Sequence, residues 1–198
     1  SPSIAGSEDF AGPYISLQLS VMGAELTGEH IDEDGANTDG TVGKVFPLPG
    51  GEIGYNIPVN DWAFLTLGAA YNPGRAKTAE GTDFLDSAST TVEISERLVY
   101  FIRPAITLSG NSAAFFKFGW DEADIRMSNV DTPPSGLDGM SYSIGTTTLF
   151  DSGMFIQTEA GITDYDDVTA TGVGGSASAK INADPNMAYG TVSLGYKF

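Results

Sequence analysis

The chain has 198 residues, no cysteine, and 26 acidic against 9 basic residues, which gives a formal net charge of −17. This length suits one domain with one sizeable core, and the lack of cysteine excludes disulfides, thiolate metal sites and cysteine nucleophiles. The negative charge argues against nucleic acid as a partner, because phosphate binding needs a basic surface, and makes cations the natural counter-partners.

Apolar and polar residues alternate with a period of two near the N-terminal end, over residues 15–21. Such a period places one class on each face of a strand, whereas a helix would mix the two classes. The preceding residues 1–12 are interpreted as an N-terminal extension. The period returns over 53–59 and, after a turn at 60–61, over 63–71, which predicts a pair of strands joined by a tight turn.

Five more runs with this period follow along the chain. In the longest of them, Val92 and Ile94 are placed in phase with Leu98, and Glu96 interrupts that apolar face near the rim. Turn-forming residues separate neighbouring runs. The five runs cover 92–108, 114–120, 140–150, 154–162 and 192–198.

Eight strands and no convincing helix predict a single all-β domain over residues 1–198, an eight-stranded antiparallel up-and-down β-barrel. No run approaches the ~18 apolar residues of a transmembrane helix, but strands of ~9–11 residues can cross a bilayer in a closed barrel. Connections after the second, fourth and sixth strands are tight turns, and the others are expected to be long external loops at one end. These loops are expected at 27–44, 72–91, 121–139 and 164–186, and they hold 17 of the 26 acidic residues.

The last strand carries a more specific resemblance. Residues 190–198 place Val192, Leu194, Tyr196 and Phe198 on one face and end in an aromatic residue. This resembles the terminal strand of bacterial outer-membrane proteins, and the whole chain is similar to small OmpA-type and opacity-protein-type barrels. The resemblance implies a transmembrane barrel in the outer membrane of a Gram-negative bacterium, exported with its signal peptide removed, surrounded by lipids and lipopolysaccharide. It also implies that the barrel-assembly machinery reads this strand, and it implies no cofactor.

Six charged residues are expected to face the lumen of this barrel. An eight-stranded barrel is just wide enough for side chains to fill, and buried charges must be paired, so these residues predict a structural plug. A narrow or gated ion path through the same residues is the alternative. The residues are Glu52, Glu93, Arg97, Arg103, Lys117 and Glu159.

Two groups of aspartates in the expected loops are candidates for weak divalent-cation binding, since such loops offer oxygen ligands. The spacing in the first group does not fit an EF-hand, so a solvated acidic loop is the simpler interpretation of both. The first group is Asp32, Asp34 and Asp39, and the second is Asp164, Asp166 and Asp167.

His30 is the only histidine, so any histidine-dependent catalysis must use it. Lipid A palmitoyltransferase barrels have a catalytic His in the first external loop and an Asp-Ser pair in the second, where this chain has Asp86 and Ser87. The N-terminal segment does not resemble the amphipathic helix of that family. We therefore expect no enzyme and interpret His30 as a loop residue.

The expected function is structural and interactive: a plugged barrel that displays acidic external loops to divalent cations, lipopolysaccharide, a protein partner or a second copy of the chain. A narrow pore or a conduit for small apolar molecules stays open as an alternative. A soluble lipocalin-like barrel also alternates, with its apolar face turned inward around a ligand. The alternating loop lengths, the charges on the polar strand face and Phe198 favour the membrane.

Overall fold

The computed structural model describes residues 6–81, 90–108, 111–172 and 178–198, which form one short helix and nine strands. Among these residues, no helix is long and apolar enough to cross a membrane. The elements are α1 (Ser7–Phe10), β1 (Gly12–Ile31), β2 (Asn37–Asn60), β3 (Ala63–Gly81), β4 (Thr90–Thr107), β5 (Ser112–Met127), β6 (Leu137–Leu149), β7 (Met154–Tyr165), β8 (Val168–Thr171) and β9 (Lys180–Lys197).

The strands close into one barrel in which every paired strand is antiparallel to its neighbour. β1 to β7 follow one another around the wall, and β9 pairs with both β7 and β1. The four-residue β8 continues the line of β7, because it pairs with β9 just beyond the end of the β7 ladder. The eight-stranded up-and-down barrel predicted from the sequence is therefore confirmed, with one of its strands interrupted after Tyr165.

One half of the barrel has its apolar side chains on the outside. On β1, Leu17 and Leu19 are exposed on the outer face, while Ser16 and Ser20 are buried inside. Apolar side chains face outward in this way where lipid replaces water as the solvent. The outward residues of this apolar band include Ile15, Leu17, Leu19, Ile53, Ile57, Leu67, Tyr100, Phe116, Trp120, Tyr142, Ile144, Ile162, Val192 and Leu194.

In the other half of the barrel the apolar face turns inward. Along β1 the inward and outward positions alternate without a break, but the apolar residues move from one set to the other. Val21, 54% exposed, is the last on the outer face, and Met22, fully buried, is the first inside. On β5, Trp120 faces outward, whereas Ala123 and Ile125 are buried inside. Such an inversion is expected where the surroundings change from lipid to water. We call this part the external half, because it lies at the end that carries the longer connections.

Much of what was expected to be long loop is strand. Residues 32–36 alone join β1 to β2, where a loop over 27–44 was expected. The sequence prediction ended each strand where apolar residues left the outer face, and so missed its continuation with apolar residues inside. β2 has 24 residues, or about 80 Å of strand, more than twice the ~9–11 residues that span a bilayer. The expected loops at 72–91, 121–139 and 164–186 likewise contain strand residues.

β4 changes faces at a β-bulge. Glu96 has a φ of 51°, and the ladder from β4 to β5 shifts register beside it. An extra residue in one strand reverses the faces of the residues beyond it. Val92 and Ile94 are consequently buried inside, while Tyr100 faces outward, so the single apolar face predicted across Glu96 was wrong.

Candidate functional site

Four charged side chains meet inside the barrel at the level of the apolar band. Glu52 Oε1 accepts a hydrogen bond from Arg103 Nη1 at 3.0 Å, and Glu52 Oε2 accepts one from Lys117 Nζ at 3.2 Å. Lys117 Nζ also donates to both carboxylate oxygens of Glu159, at 3.0 and 3.1 Å. The Tyr14 hydroxyl donates to Glu52 Oε1 at 2.7 Å. We call these four charged residues and Tyr14 the lumen network.

The charges of the lumen network balance, with two carboxylates against two cations, and all four are buried. Cation–π contacts also stabilise the two cations: Arg103 Cζ lies 4.8 Å from the ring centre of Phe115, and Lys117 Nζ lies 4.5 Å from that of Phe101. Buried charges persist only when they are paired and hydrogen-bonded, which this geometry provides. Side chains therefore occupy the lumen at this level.

A second ion pair lies nearer the external half. Arg97 Nε donates to Asp121 Oδ2 at 2.7 Å, and Asp121 also accepts hydrogen bonds from the hydroxyls of Ser141 and Tyr165, each at 2.9 Å. Asp121 is buried, although the sequence prediction assigned it to a loop. Its position relative to Lys117 could have revealed it, because residues an even number apart on an uninterrupted strand share a face.

Glu93 is not part of either charged layer. It lies on the outer face of β4, partly exposed, opposite Arg126 in the ladder with β5. Its predicted place in the lumen was wrong, because the alternation was counted straight through the bulge at Glu96.

The other end of the lumen is covered by α1, which lies within the expected extension over residues 1–12. The Phe10 side chain is 2% exposed and stacks on Phe64, with ring centroids 5.0 Å apart. The backbone N–H of Ser7 donates to the Asp61 carbonyl at 3.0 Å, and the side-chain Nδ2 of Asn56 donates to the Phe10 carbonyl at 2.8 Å. The helix thus folds back into the mouth of the barrel.

The interior of the external half is a cluster of buried apolar side chains. A water-filled porin channel is polar inside, so this lining is of a different kind. The sequence prediction missed the cluster because it expected loops here. Its members include Met22, Ala24, Leu26, Phe46, Leu48, Ala76, Val92, Ile94, Ile125, Leu137, Ile181 and Met187.

The wall of the external half has a gap between β2 and β3. The ladder between these strands ends at the pair Gly51 and Tyr71, and no further pairing of β2 residues 37–50 with β3 residues 72–81 occurs among the described residues. Both segments remain strands, because β2 continues along β1 and β3 continues along β4. This gap, called the slot below, runs from beside Tyr71 in the apolar band toward the external rim.

Prolines on both edges of the slot explain why the two strands separate. Asn72 Nδ2 donates to the Pro49 carbonyl at 3.2 Å, so the backbone of Pro49 faces β3. An antiparallel residue directs its N–H and C=O to the same neighbour, so Pro49 and Pro47 both lack the donor that would face β3. Pro73 lies on the opposite edge. Edge prolines prevent a strand from pairing.

Apolar side chains of the interior cluster border the slot. Phe46 and Leu48 are buried on the lumen side of β2, and Ala76 is buried on β3. A Cβ atom on Gly74 would lie 2.5 Å from Leu48 Cδ1. The Leu48 side chain therefore covers the base of the slot, where the opposite strand has no side chain.

The six aspartates considered for divalent binding are all exposed at the external end. Asp39 and Asp167 border the same concavity of the outer wall, of about 900 Å³, together with Glu29 and Asp184. No group of three or more acidic or histidine side chains in the described ranges is placed to hold a metal ion. Divalent binding stays a prediction. The other members of the two groups are Asp32, Asp34, Asp164 and Asp166.

Glu29 links three strands near the external rim. Its carboxylate accepts hydrogen bonds from the side-chain amides of Asn182, at 2.9 Å, and Asn37, at 2.7 Å. These two hydrogen bonds lower the pKa of Glu29 below its ordinary value, the one from Asn182 having the larger effect.

The terminal strand closes the barrel by pairing with β1 from Tyr14 to Ile31. Its four outward residues, predicted to be the assembly signal, are exposed: Val192, Leu194, Tyr196 and Phe198. Recognition by the assembly machinery stays a prediction.

His30 lies on the lumen side of β1 near the rim, 8% exposed, and no partner for its Nε2 is found among the described residues. Asp86 and Ser87 lie outside the described residues. The expected loop position of His30 is corrected to the end of a strand.

A family model described as an outer membrane protein beta-barrel domain matches residues 2–198. The chain belongs to this family. The barrel is therefore transmembrane, in a bacterial outer membrane, and the apolar band is its lipid-facing surface. A soluble lipocalin-like barrel, with its apolar face inward throughout, is excluded.

Solved structures of outer-membrane barrels share the fold. OprG from Pseudomonas aeruginosa has a TM-score of 0.65 at 13% identity, covering 95% of this chain and 96% of its own. AlkL, an outer-membrane protein solved in lipid bilayers, has a TM-score of 0.56 at 17% identity, covering 95% of this chain and 92% of its own. No curated protein sequence matches the chain.

Proposed function

We propose that the protein is a barrel closed along its axis and open at its side, which passes small apolar molecules from the external half into the membrane. The observation that carries this proposal is the slot, because it joins an apolar interior to the apolar band. This is the conduit considered above as an alternative to a purely structural role.

The closed axis is supported by two separate obstructions. The lumen network occupies the barrel at the level of the apolar band, and Phe10 covers the mouth at the opposite end. An ion crossing here would have to break buried ion pairs, each of which costs several kcal/mol.

The open side is supported by the chemistry of the interior. An apolar molecule gains roughly 25 cal/mol per Å² when it leaves water for an apolar lining. It keeps that gain on moving through the slot into lipid, so the step from interior to bilayer needs no further driving force. The chain thereby offers an apolar route past the polar sugars of the outer leaflet.

A disulfide across the base of the slot tests the proposal. Leu48 contacts Gly74, and the chain has no native cysteine, so Leu48→Cys with Gly74→Cys creates a single possible bond. In outer-membrane vesicles, we expect the protein to raise the uptake rate of the fluorescent apolar probe N-phenylnaphthylamine. Oxidation should abolish this increase in the double variant, and dithiothreitol should restore it.

Each single cysteine variant, treated in the same way, is the matched control. Equal uptake with and without the protein, or uptake that oxidation of the double variant leaves unchanged, would refute the lateral route.

A display role for the acidic external surface is the second candidate function. The observation that favours it is the exposure of all six aspartates at one end of a chain whose net charge is −17. Calcium at millimolar concentration is expected to raise the melting temperature of the barrel by a few degrees relative to potassium chloride of equal ionic strength. An unchanged melting temperature would remove the divalent-cation form of this role.

A further inference from the structure

The few basic residues of the chain are unevenly placed. Of nine, three are buried in the lumen, and Lys197 donates to the Ala11 carbonyl at the periplasmic mouth. Arg126 lies opposite Glu93, and the charge of Lys180 helps to lower the pKa of Glu29. The other three belong to the two edges of the slot: Lys44 on β2, and Arg75 and Lys77 on β3.

Lys44 and Arg75 are exposed, and neither forms a salt bridge with any of the described residues. On β4, Glu93 and Glu96 are the acidic residues near Arg75, and Glu93 already faces Arg126. Lys44 borders a concavity of the outer wall together with Glu25 and Asp164. The chain carries 26 acidic residues, yet these two cations beside one gap have no salt bridge within the described ranges.

Both cations stand next to the apolar lining. Lys44 lies two residues before Phe46, and its ladder partner Ala24 is a buried member of the interior cluster. Arg75 follows Gly74, which contacts Leu48, and precedes the buried Ala76. By strand alternation, Lys44 lies on the lumen side of β2 and Arg75 on the outer side of β3. The slot therefore combines apolar walls with one positive charge on each of its two edges.

We propose that the slot binds a single-chain alkyl carboxylate, with the alkyl chain against Phe46, Leu48 and Ala76 and the carboxylate at Lys44 and Arg75. This rests on the proposed lateral route and names its substrate class. Arginine and lysine form charge-assisted hydrogen bonds with carboxylates, which are about twice as strong as neutral ones. One chain is specified because an eight-stranded barrel is just wide enough for its own side chains, so a lipid with several acyl chains does not fit.

Photolabelling with two matched probes tests this. Laurate and dodecanol, each carrying the same diazirine on the alkyl chain, are supplied to outer-membrane vesicles that contain the protein, and labelled peptides are identified by mass spectrometry. We expect both probes to label residues 44–50 and 72–76. Lys44→Gln with Arg75→Gln should lower laurate labelling there by roughly tenfold to a hundredfold, and leave dodecanol labelling unchanged.

Arg126→Gln with Lys180→Gln removes the same charge from the same end of the barrel and should change neither probe. If neither probe labels the slot in the unmodified protein, the lateral route itself fails. If both label it and the Lys44/Arg75 variant leaves laurate labelling unchanged, the carboxylate proposal fails and the route stands. Loss of lipopolysaccharide binding in that variant, with laurate labelling intact, would show that the cations hold outer-leaflet phosphates and would also overturn the proposal.

Discussion

Glu52 occupies the centre of the lumen network, because its two carboxylate oxygens accept hydrogen bonds from side chains on three other strands. Arg103 and Lys117 are buried with it. Without Glu52, Lys117 would keep Glu159, whereas Arg103 would keep only the Tyr14 hydroxyl as a side-chain acceptor among the described residues. The loss of Glu52 is therefore costly mainly because it would leave the Arg103 charge buried without a carboxylate partner.

Glu52→Ala is expected to lower the free energy of unfolding by about 3–5 kcal/mol, the cost of breaking a buried ion pair. Urea unfolding in lipid vesicles, followed by tryptophan fluorescence, measures this. Glu93→Ala removes the same charge from the outer face and is expected to change the free energy by no more than about 0.5 kcal/mol. Equal effects of the two variants would contradict the assignment of Glu52 to the network.

At the scale of residues, the alternation of side chains along each strand predicted four charged residues on the lumen face, and the structure brings these four together. They are Glu52, Arg103, Lys117 and Glu159. Parity failed for Glu93 because the bulge at Glu96 depends on how β4 fits its neighbours, which the alternation of β4 does not show. Asp121 was missed for another reason. Its strand, β5, continues beyond the apolar band, and the sequence prediction assigned the acidic residues of that continuation to a loop.

At the scale of elements, α1 is held by few but specific contacts. Phe10 supplies nearly all of its apolar burial, and hydrogen bonds through Ser7 and Asn56 fix its backbone. A helix of one turn has almost no stability of its own, so its position depends on this side chain.

Phe10→Ala is expected to release α1 without unfolding the barrel, because removal of a buried Phe costs about 3–5 kcal/mol. Hydrogen exchange of the Ser7 amide, bonded to Asp61 in the native state, should accelerate by at least about a hundredfold, while β9 amides keep their protection. Phe150→Ala, at an exposed phenylalanine of a turn at the same end, is the matched control. Unchanged exchange at Ser7 would show that Phe10 does not hold the helix.

The sequence predicted the part of each strand that lies in the apolar band, but not its continuation into the external half. Residues 15–21 of β1 follow the apolar-outward rule, and Met22, Ala24 and Leu26 follow the opposite one. Alternation separates the two faces of a strand but does not show which face points inward. The sequence therefore does not show where the surroundings change from lipid to water. The external half was therefore read as loops, and the slot within it could not be foreseen.

At the scale of the whole molecule, the barrel combines a closed axis with a gap in one wall. The closing ladder between β1 and β9 is continuous from Tyr14 to Ile31, whereas the β2–β3 ladder stops at Gly51. Ion flow and apolar transfer are consequently separable properties of this chain, since the first would follow the axis and the second the side.

The protein reconstituted in planar bilayers is expected to give no stepwise ion conductance, because charged side chains fill the lumen where it crosses the lipid. Phe10→Ala should also stay silent, since the lumen network remains in place behind the opened mouth. Single-channel recording checks both. Discrete openings in the unmodified protein would mean that the buried ion pairs rearrange to admit ions.

The slot also gives the outer part of the β1–β2 hairpin an unusual mechanical role. β1 pairs with β9 from Tyr14 to Ile31, but among the described residues β2 before Gly51 forms a ladder with β1 alone. The outer part of β2, residues 37–50, is about 45 Å long and is held along one edge by β1, while its other edge borders the slot. A sideways load on this free edge, from crowding sugar chains or a tethered neighbour, would therefore be carried by the ladder to β1 and, at the base of the slot, by the hydrogen bond between Asn72 and Pro49.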